Sequence, residues 1–284
     1  MLNLILQGLH TDVATIEHVA AISNIVLAKS HTTIGTSVFR CEDVTFSDDI
    51  KTLVEKRALR AQLDATFVES ERKLSEFKLL AMDMDSTLIT IECIDEIADM
   101  QGLKPQVAAI TEAAMRGEIE FKESLTRRVS LLAGLDASAL QRVYDERLQL
   151  SMGAEPMLAA IKAAGIKTLL VSGGFTFFTD RMKARLGLDY THSNQLEIID
   201  GKLTGRVVGG IVDAEEKRRT VERVCLELGI TPQETIVMGD GANDLKMMSI
   251  AGLSVAFRAK PVVRAQADVA LNFVGLDGIL ALLG

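Results

Sequence analysis

Apolar and polar positions follow two different rhythms along this chain. In the first 70 residues the apolar segments are short: "LNLILQG" reads as a strand, about Asp12 to Ile22 as a helix, and "NIVLAK" and "TSVFRC" as strands. A second helix carries Ile50, Leu53, Val54, Ala58 and Ala61 on one face, with Ser47 and Asp48 as capping candidates. The short strand "ATFVE" completes a β-α-β-β-α-β unit, and the charged segment "ESERKLSE" joins that unit to the rest.

From Phe77 onward the apolar segments are unbroken rather than alternating. "FKLLAM" ends in Asp83, "IKTLLV" in Ser172-Gly173-Gly174 and "ETIVMG" in Asp240-Gly241, while "AGLSVAF" precedes a basic loop. Runs of this kind, separated by helical stretches, predict a parallel sheet covered on both faces. In such sheets the ligand sits beyond the carboxyl ends of the strands, where the acids and the Ser-Gly-Gly stand.

Two features depart from that alternation. Residues from about 91 to 150 are helical throughout. Gly102, Gly117 and Gly134 fit helix stops, Pro105 a first-turn start, and Asp136 an N-cap before "ASALQRVYDERL". The expected product is a four-helix insertion placed as a lid over the strand ends. The segment "LEIIDGKLTGRVVG" predicts a hairpin with a type I′ turn at Asp200-Gly201.

Composition narrows the partners. With 31 basic and 39 acidic residues the formal charge is −8, which argues against general nucleic-acid binding or an anionic membrane surface. The apolar runs stop well short of a membrane span, and "MLNLILQGLHTD" lacks a basic leader and a small-residue cleavage site, so a cytoplasmic protein is expected. Cys41, Cys93 and Cys225 are widely spaced, in no metal-ligand pattern, and read as buried small hydrophobes.

Asp83, Asp85, Asp240 and Asp244 at one sheet edge would repel one another, so a cation is implied. Oxygen ligands without His or Cys suit Mg²⁺. The chemistry that needs little beyond positioning and charge neutralisation is phosphoryl transfer. Asp83 or Asp85 is the candidate nucleophile, forming an aspartyl phosphate, and the other the general acid and base. Ser172 with the backbone N–H groups of Gly173 and Gly174 offers neutral donors to phosphoryl oxygens. Lys217 is the best candidate for the remaining cation, although Arg218 and Arg219 adjoin it.

"DMDST", "SGG", the Lys before an amphipathic helix and "GDGANDLKM" resemble, in order, the four motifs of the haloacid dehalogenase (HAD) superfamily of phosphohydrolases, over roughly residues 76–284. "DSTLITIECIDEIA" and "FKESLTRRVSLLAGL" resemble its phosphoserine phosphatase branch. The resemblance implies an α/β fold: a Rossmann-like parallel sheet with a helical cap insertion. It makes Asp83 the nucleophile, Asp85 the acid/base and Lys217 the phosphate-neutralising cation. Mg²⁺ would be held by Asp83, the backbone carbonyl of Asp85 and Asp240, while Asn243 and Asp244 organise phosphate, Lys217 and metal-bound water. Glu92 and Arg128 would grip the ammonium and carboxylate of phosphoserine, with Phe121 closing the apolar side. The implied activity is hydrolysis of O-phospho-L-serine, the last step of serine biosynthesis. The alternatives are a related phosphotransferase, a phosphatase of another small ester, or an amino-acid-binding regulator.

Residues 1–70 are similar in pattern to ferredoxin-like α+β ACT modules, which sense amino acids in many biosynthetic enzymes. An edge of that sheet could pair between subunits as a homodimer.

Overall fold

The computed structural model describes residues 2–9, 15–16, 19, 29–33, 36–70, 72–115 and 118–283, which build two sheets. The smaller has four antiparallel strands in the order β2-β3-β1-β4, with β1 Leu2–Leu9, β2 Lys29–Thr33, β3 Thr36–Cys41 and β4 Asp64–Glu69. This is the order a ferredoxin-like unit produces. Of the expected first helix only Thr15, Ile16 and Val19 are among the described residues, and all three are helical. Residues 24–28 of the expected strand "NIVLAK" lie outside them. Among the described residues β2 covers Lys29–Thr33, paired with β3 from Lys29 opposite Arg40 to Thr33 opposite Thr36.

Helix α1, Asp48–Arg60, starts where Ser47 Oγ accepts the Ile50 N–H at 3.2 Å. Val54 and Ala58 are buried, but Leu53 is 41% exposed and does not belong to the inward face. One residue from Val54 on a helix is a rotation of about 100°, which carries Leu53 to the margin of the stripe.

The larger sheet has seven strands in the order β11-β10-β9-β5-β6-β7-β8. These are β5 Leu79–Met82, β6 Lys167–Phe175, β7 Tyr190–Ile199, β8 Lys202–Val208, β9 Thr235–Gly239, β10 Leu253–Phe257 and β11 Val269–Leu271. All adjacent pairs are parallel except β7 with β8. Every residue of β5, β9 and β10 is buried, which explains their unbroken apolar runs. Along β5 the side chains divide between two cores, Leu80 and Met82 into one and Leu79 and Ala81 into the other. At the hairpin tip Asp200 (φ +50°) and Gly201 (φ +74°) both take left-handed backbone, the type I′ geometry expected there.

Between β5 and α6 (Ala154–Ala163) stand four helices: α2 Cys93–Asp99, α3 Lys104–Met115, α4 Phe121–Ser130 and α5 Ser138–Glu146. The chain leaves and returns side by side, the Thr90 N–H meeting Gln149 O at 3.0 Å and the Ser151 N–H meeting Leu88 O at 3.0 Å. Pro105 lies in the first turn of α3, Gly102 and Gly134 follow helices, and Gly117 lies outside the described residues. Asp136 accepts the Ser138 N–H at 2.8 Å.

The two sheets are packed together through side chains of alternating direction. Leu4 and Leu6 of β1 face α1, while Ile5, Val38 and Val68 enter the core of the larger unit. Asp64, 1% exposed, accepts from the N–H groups of Asn272, Phe273 and Val274 and from the Asn272 side-chain amide, at 2.7–3.1 Å. Arg40 donates to Ala281 O at 3.0 Å, and Arg72 donates to Gly252 O.

Asp64→Ala strands three amide N–H groups in a buried interface, at a cost on the order of 3 kcal/mol. The urea midpoint and melting temperature of the full chain should both fall. An unchanged midpoint would show that Asp64 does not hold the sheets together.

Candidate active site

Asp83, the Ser172-Gly173-Gly174 turn and Asp240 meet because β5 lies between β6 and β9, so three parallel strands end side by side. The Asp83 Oδ1 atom accepts the Met84 N–H at 2.7 Å and is 2.8 Å from Lys217 Nζ. Lys217 comes from α8, Ala214–Leu228, the helix after α7 (Thr176–Leu186), and is completely buried. Its ammonium also donates to Asp244 Oδ1 at 2.7 Å. Burial opposes that charge, but Asp244 and Asp83 outweigh it and hold Lys217 above the ordinary lysine pKa. The neighbouring Arg218 pairs instead with Glu215 and Glu222, and Arg219 with Glu215, so the structure separates the three cations that adjacency left together.

Asp244 is fully buried, its Oδ2 accepting the N–H groups of Asp240 at 3.1 Å and Gly241 at 3.0 Å. Its carboxylate packs so tightly on Gly239 that no Cβ fits there. Asn243 folds its side-chain carbonyl over Gly241 in the same way. Asp83, Asp240 and Asp244 each offer an oxygen within 4.8 Å of the others. Burial raises the pKa of Asp83 well above the usual carboxylate value, with Asp244 adding repulsion that Lys217 only partly offsets. Burial and then Asp244 push Asp240 up to about 7. Three carboxylates with a single ammonium and an all-oxygen donor set fit a hard divalent cation.

The expected group of four acids divides three and one. Asp85 is extended (ψ 133°) and Ser86 left-handed (φ +56°), a turn that takes the Asp85 side chain away from the other three. Its Oδ1 is buried without a hydrogen-bond partner, and its Oδ2 lies 3.1 Å from where a Cβ of Gly174 would stand. Burial and then the Glu92 carboxylate push its pKa up to about 8, against hydrogen bonds from Cys93. Glu92 accepts from Ser86 Oγ at 2.7 Å.

Ser172 is buried and its Oγ accepts the Gly174 N–H at 2.8 Å. That amide, expected as a free donor, is therefore engaged, because the irregularity near the end of β6 brings the hydroxyl back onto it; the hydroxyl hydrogen remains to donate. The Phe121 ring covers Gly173, its Cζ 3.2 Å from where a Cβ would stand. Arg128 is part-buried beside Asp95, Glu92 and Asp85; burial lowers its pKa and those acids resist. Arg127 faces solvent and pairs with Glu123.

Several residues here carried no signal in the apolar pattern. Asn194 donates to Gly173 O at 2.7 Å and accepts the Val212 N–H at 2.8 Å, tying the Ser-Gly-Gly turn to the entry of α8. A buried Asn within a strand is its only sequence clue. Thr87 Oγ1 lies 3.2 Å from Asp240 Oδ1, and Cys93, assigned to packing alone, touches the Asp85 carboxylate.

Residues 77–252 match the haloacid dehalogenase-like hydrolase family. A phosphoserine phosphatase of Polaromonas sp. is 61% identical over 216 residues, covering 74% of this chain and 92% of that protein. Among solved structures, a HAD family hydrolase from Salmonella enterica serovar Typhi superposes with a TM-score of 0.89 at 33% identity, over 99% of this chain and 98% of that one. A probable phosphoserine phosphatase from Vibrio cholerae gives 0.85 at 36% identity, over 99% and 86%. Both superpositions include the small sheet.

Asp85 and Asp240 titrate at about 8 and about 7 in the fold but near 4 when unfolded. Between those values the folded protein binds more protons, so this pair's contribution to stability falls as pH rises from 4 to 8. The melting temperature without divalent cations should therefore decline from pH 5 to pH 8. Mg²⁺ should restore it increasingly over the same interval, by about 2.7 kcal/mol at a hundredfold excess over Kd. Asp240→Asn should remove most of that Mg²⁺ response; an undiminished response would place the cation elsewhere.

Proposed function

The chain belongs to the phosphoserine phosphatases of the haloacid dehalogenase-like hydrolase family, and from that premise we propose that it hydrolyses O-phospho-L-serine to serine and phosphate through an aspartyl phosphate on Asp83. One observation carries the mechanism: an aspartate fixed by a buried lysine, Asp83 with Lys217, stands two residues from a second, half-buried carboxyl, Asp85, whose pKa of about 8 keeps a proton available near neutrality.

Asp83 attacks phosphorus through a carboxylate oxygen as the bond from phosphorus to the serine oxygen breaks, and Asp85 delivers its proton to that leaving oxygen. Asp85 then takes a proton from water attacking the acyl phosphate, which releases phosphate and restores both carboxyl groups. Lys217 neutralises charge on Asp83 and the phosphoryl oxygens, and Ser172 donates its hydroxyl hydrogen to one of them. Asp83, Asp240 and the Asp85 backbone carbonyl are the proposed Mg²⁺ ligands. When bound, Mg²⁺ supplies the positive charge that lets Asp83 ionise beside a phosphate dianion. Asn243 and Asp244 organise the phosphate side of the site, Asp244 through its hold on Lys217.

Arg128 and Glu92 take the carboxylate and ammonium of phosphoserine, and Phe121 packs on its apolar side. We read residues 1–70 as an ACT-like module, 76–284 as the phosphatase domain, and about 91–150 as its cap. The reaction is the last step of serine biosynthesis, which we place in the cytoplasm. Among the described residues no helix is long and apolar enough to cross a membrane.

Asp83→Asn should abolish turnover with the fold retained, since an amide cannot attack phosphorus. Mass spectrometry of trapped enzyme should find the phosphate on Asp83; any other site would overturn the assignment. Arg128→Ala and Glu92→Ala should each remove roughly 2–5 kcal/mol of phosphoserine transition-state binding, about thirtyfold to several-thousandfold in kcat/KM. An aryl phosphate, lacking both groups, should be nearly unaffected, and so should both substrates in Arg127→Ala. Equal losses on both substrates would mean that Arg128 and Glu92 support the catalytic centre instead.

A further inference from the structure

The phosphate side of the site is deeply buried, with Asp83 5% exposed, Ser172 1%, and Lys217 and Asp244 0%, while Asp85 and Asp240 are half-buried and Glu92 is exposed. The Phe121 ring of the inserted helices stands over Gly173, so how those helices are held bears on access to Asp83. On one side they are fastened by backbone hydrogen bonds to the β7–β8 hairpin, from the Gly134 N–H to Leu203 O and from the Ala137 N–H to Gly201 O, both 2.8 Å. On the other side the fastening is ionic. Lys122 Nζ lies 2.9 Å from Asp213 Oδ2, and among the described residues this is the one ion pair that joins the four inserted helices to the rest of the chain.

Its position matters more than its strength. Lys122 follows Phe121, whose ring covers Gly173, at the start of α4. Asp213 is the N-cap of α8, one turn before Lys217, and its two oxygens have separate tasks: Oδ1 accepts the Glu216 N–H at 2.8 Å while Oδ2 meets Lys122. The Lys122 side chain is 61% exposed and that of Asp213 22%, so water competes for the pair. An exposed pair of this kind shifts an equilibrium by a factor of about five at most and is weakened by salt. A contact that must open and close in each turnover needs that modest strength.

We propose that Lys122 and Asp213 form the latch of the cap: the pair breaks to admit substrate and re-forms to hold Phe121 against the Ser-Gly-Gly turn while the phosphoryl group is transferred. Lys122 is then a positioning residue that touches neither substrate nor metal. The proposal rests on the reading above, in which the cap carries the substrate contacts.

Lys122→Met removes the charge. Asp213→Asn also removes the pair yet leaves an oxygen to cap α8. In steady-state kinetics on the full chain with Mg²⁺, each should raise the KM for phosphoserine about three- to fivefold with kcat retained, the pattern of lost uniform binding. The double variant should be no worse than either single one, and Lys122→Arg should behave as the parent. Added NaCl should raise the parent's KM more steeply than that of Lys122→Met. Amide hydrogen exchange, which needs no turnover, should quicken across residues 118–130 in Lys122→Met and Asp213→Asn. Faster exchange in these two variants, together with a parent chain that does not hydrolyse phosphoserine, would keep the latch and defeat the substrate assignment. A parent-like KM and exchange in Lys122→Met, a loss confined to Asp213→Asn, or a loss falling on kcat would each overturn the latch.

Discussion

The ammonium of Lys217 is the charge around which the candidate active site is assembled. It is fully buried, and it is tolerable there only because Asp83 and Asp244 both lie within 2.8 Å. Removing one partner of such a buried pair typically costs about 3–5 kcal/mol, because the remaining charge is left in a low-dielectric interior. The requirement spreads outward from this point. Asp244 must lie against Gly239, the turn after β9 must present two amides to its second oxygen, and α8 must enter at the height that Asp213 and Asn194 set. Three elements distant in sequence are thereby held in one register.

The same charge balance leaves room for a cation. Lys217 offsets one carboxylate's worth of charge, while Asp83, Asp240 and Asp244 crowd within one ligand shell. The raised pKa values of Asp83 and Asp240 express that deficit, and Asp85, turned away toward Glu92, is raised for a separate reason. Two carboxyl groups two residues apart thus acquire different electrostatic environments from their surroundings. The small sheet is more closely joined to this machinery than an appended module need be. Its β1 shares Ile5 with the main core, and Asp64 covers the amides after β11.

The sequence by itself determined the class of the fold and the residue types of the site. Unbroken apolar runs ending in Asp83, Ser172 and Asp240 require a parallel sheet with polar groups at its carboxyl edge, because burial on both faces erases the alternation of a half-exposed strand. The hairpin turn at Asp200-Gly201 and the exposure of Arg127 are local matters, settled by backbone sterics and helix periodicity. Leu53 left the helix face assigned to it, because the buried stripe of that helix is centred on Val54 and Ala58. Only the tertiary structure could pair Arg218 and Arg219 with acids of their own while burying Lys217, separate Asp85 from the other acids, engage the Gly174 amide, and bring Asn194, Cys93 and Lys122 to their contacts. Those outcomes depend on distances and burial between segments far apart in the chain, and electrostatic energy at a few ångströms in a dry interior is fixed by such distances, which residue order alone does not contain.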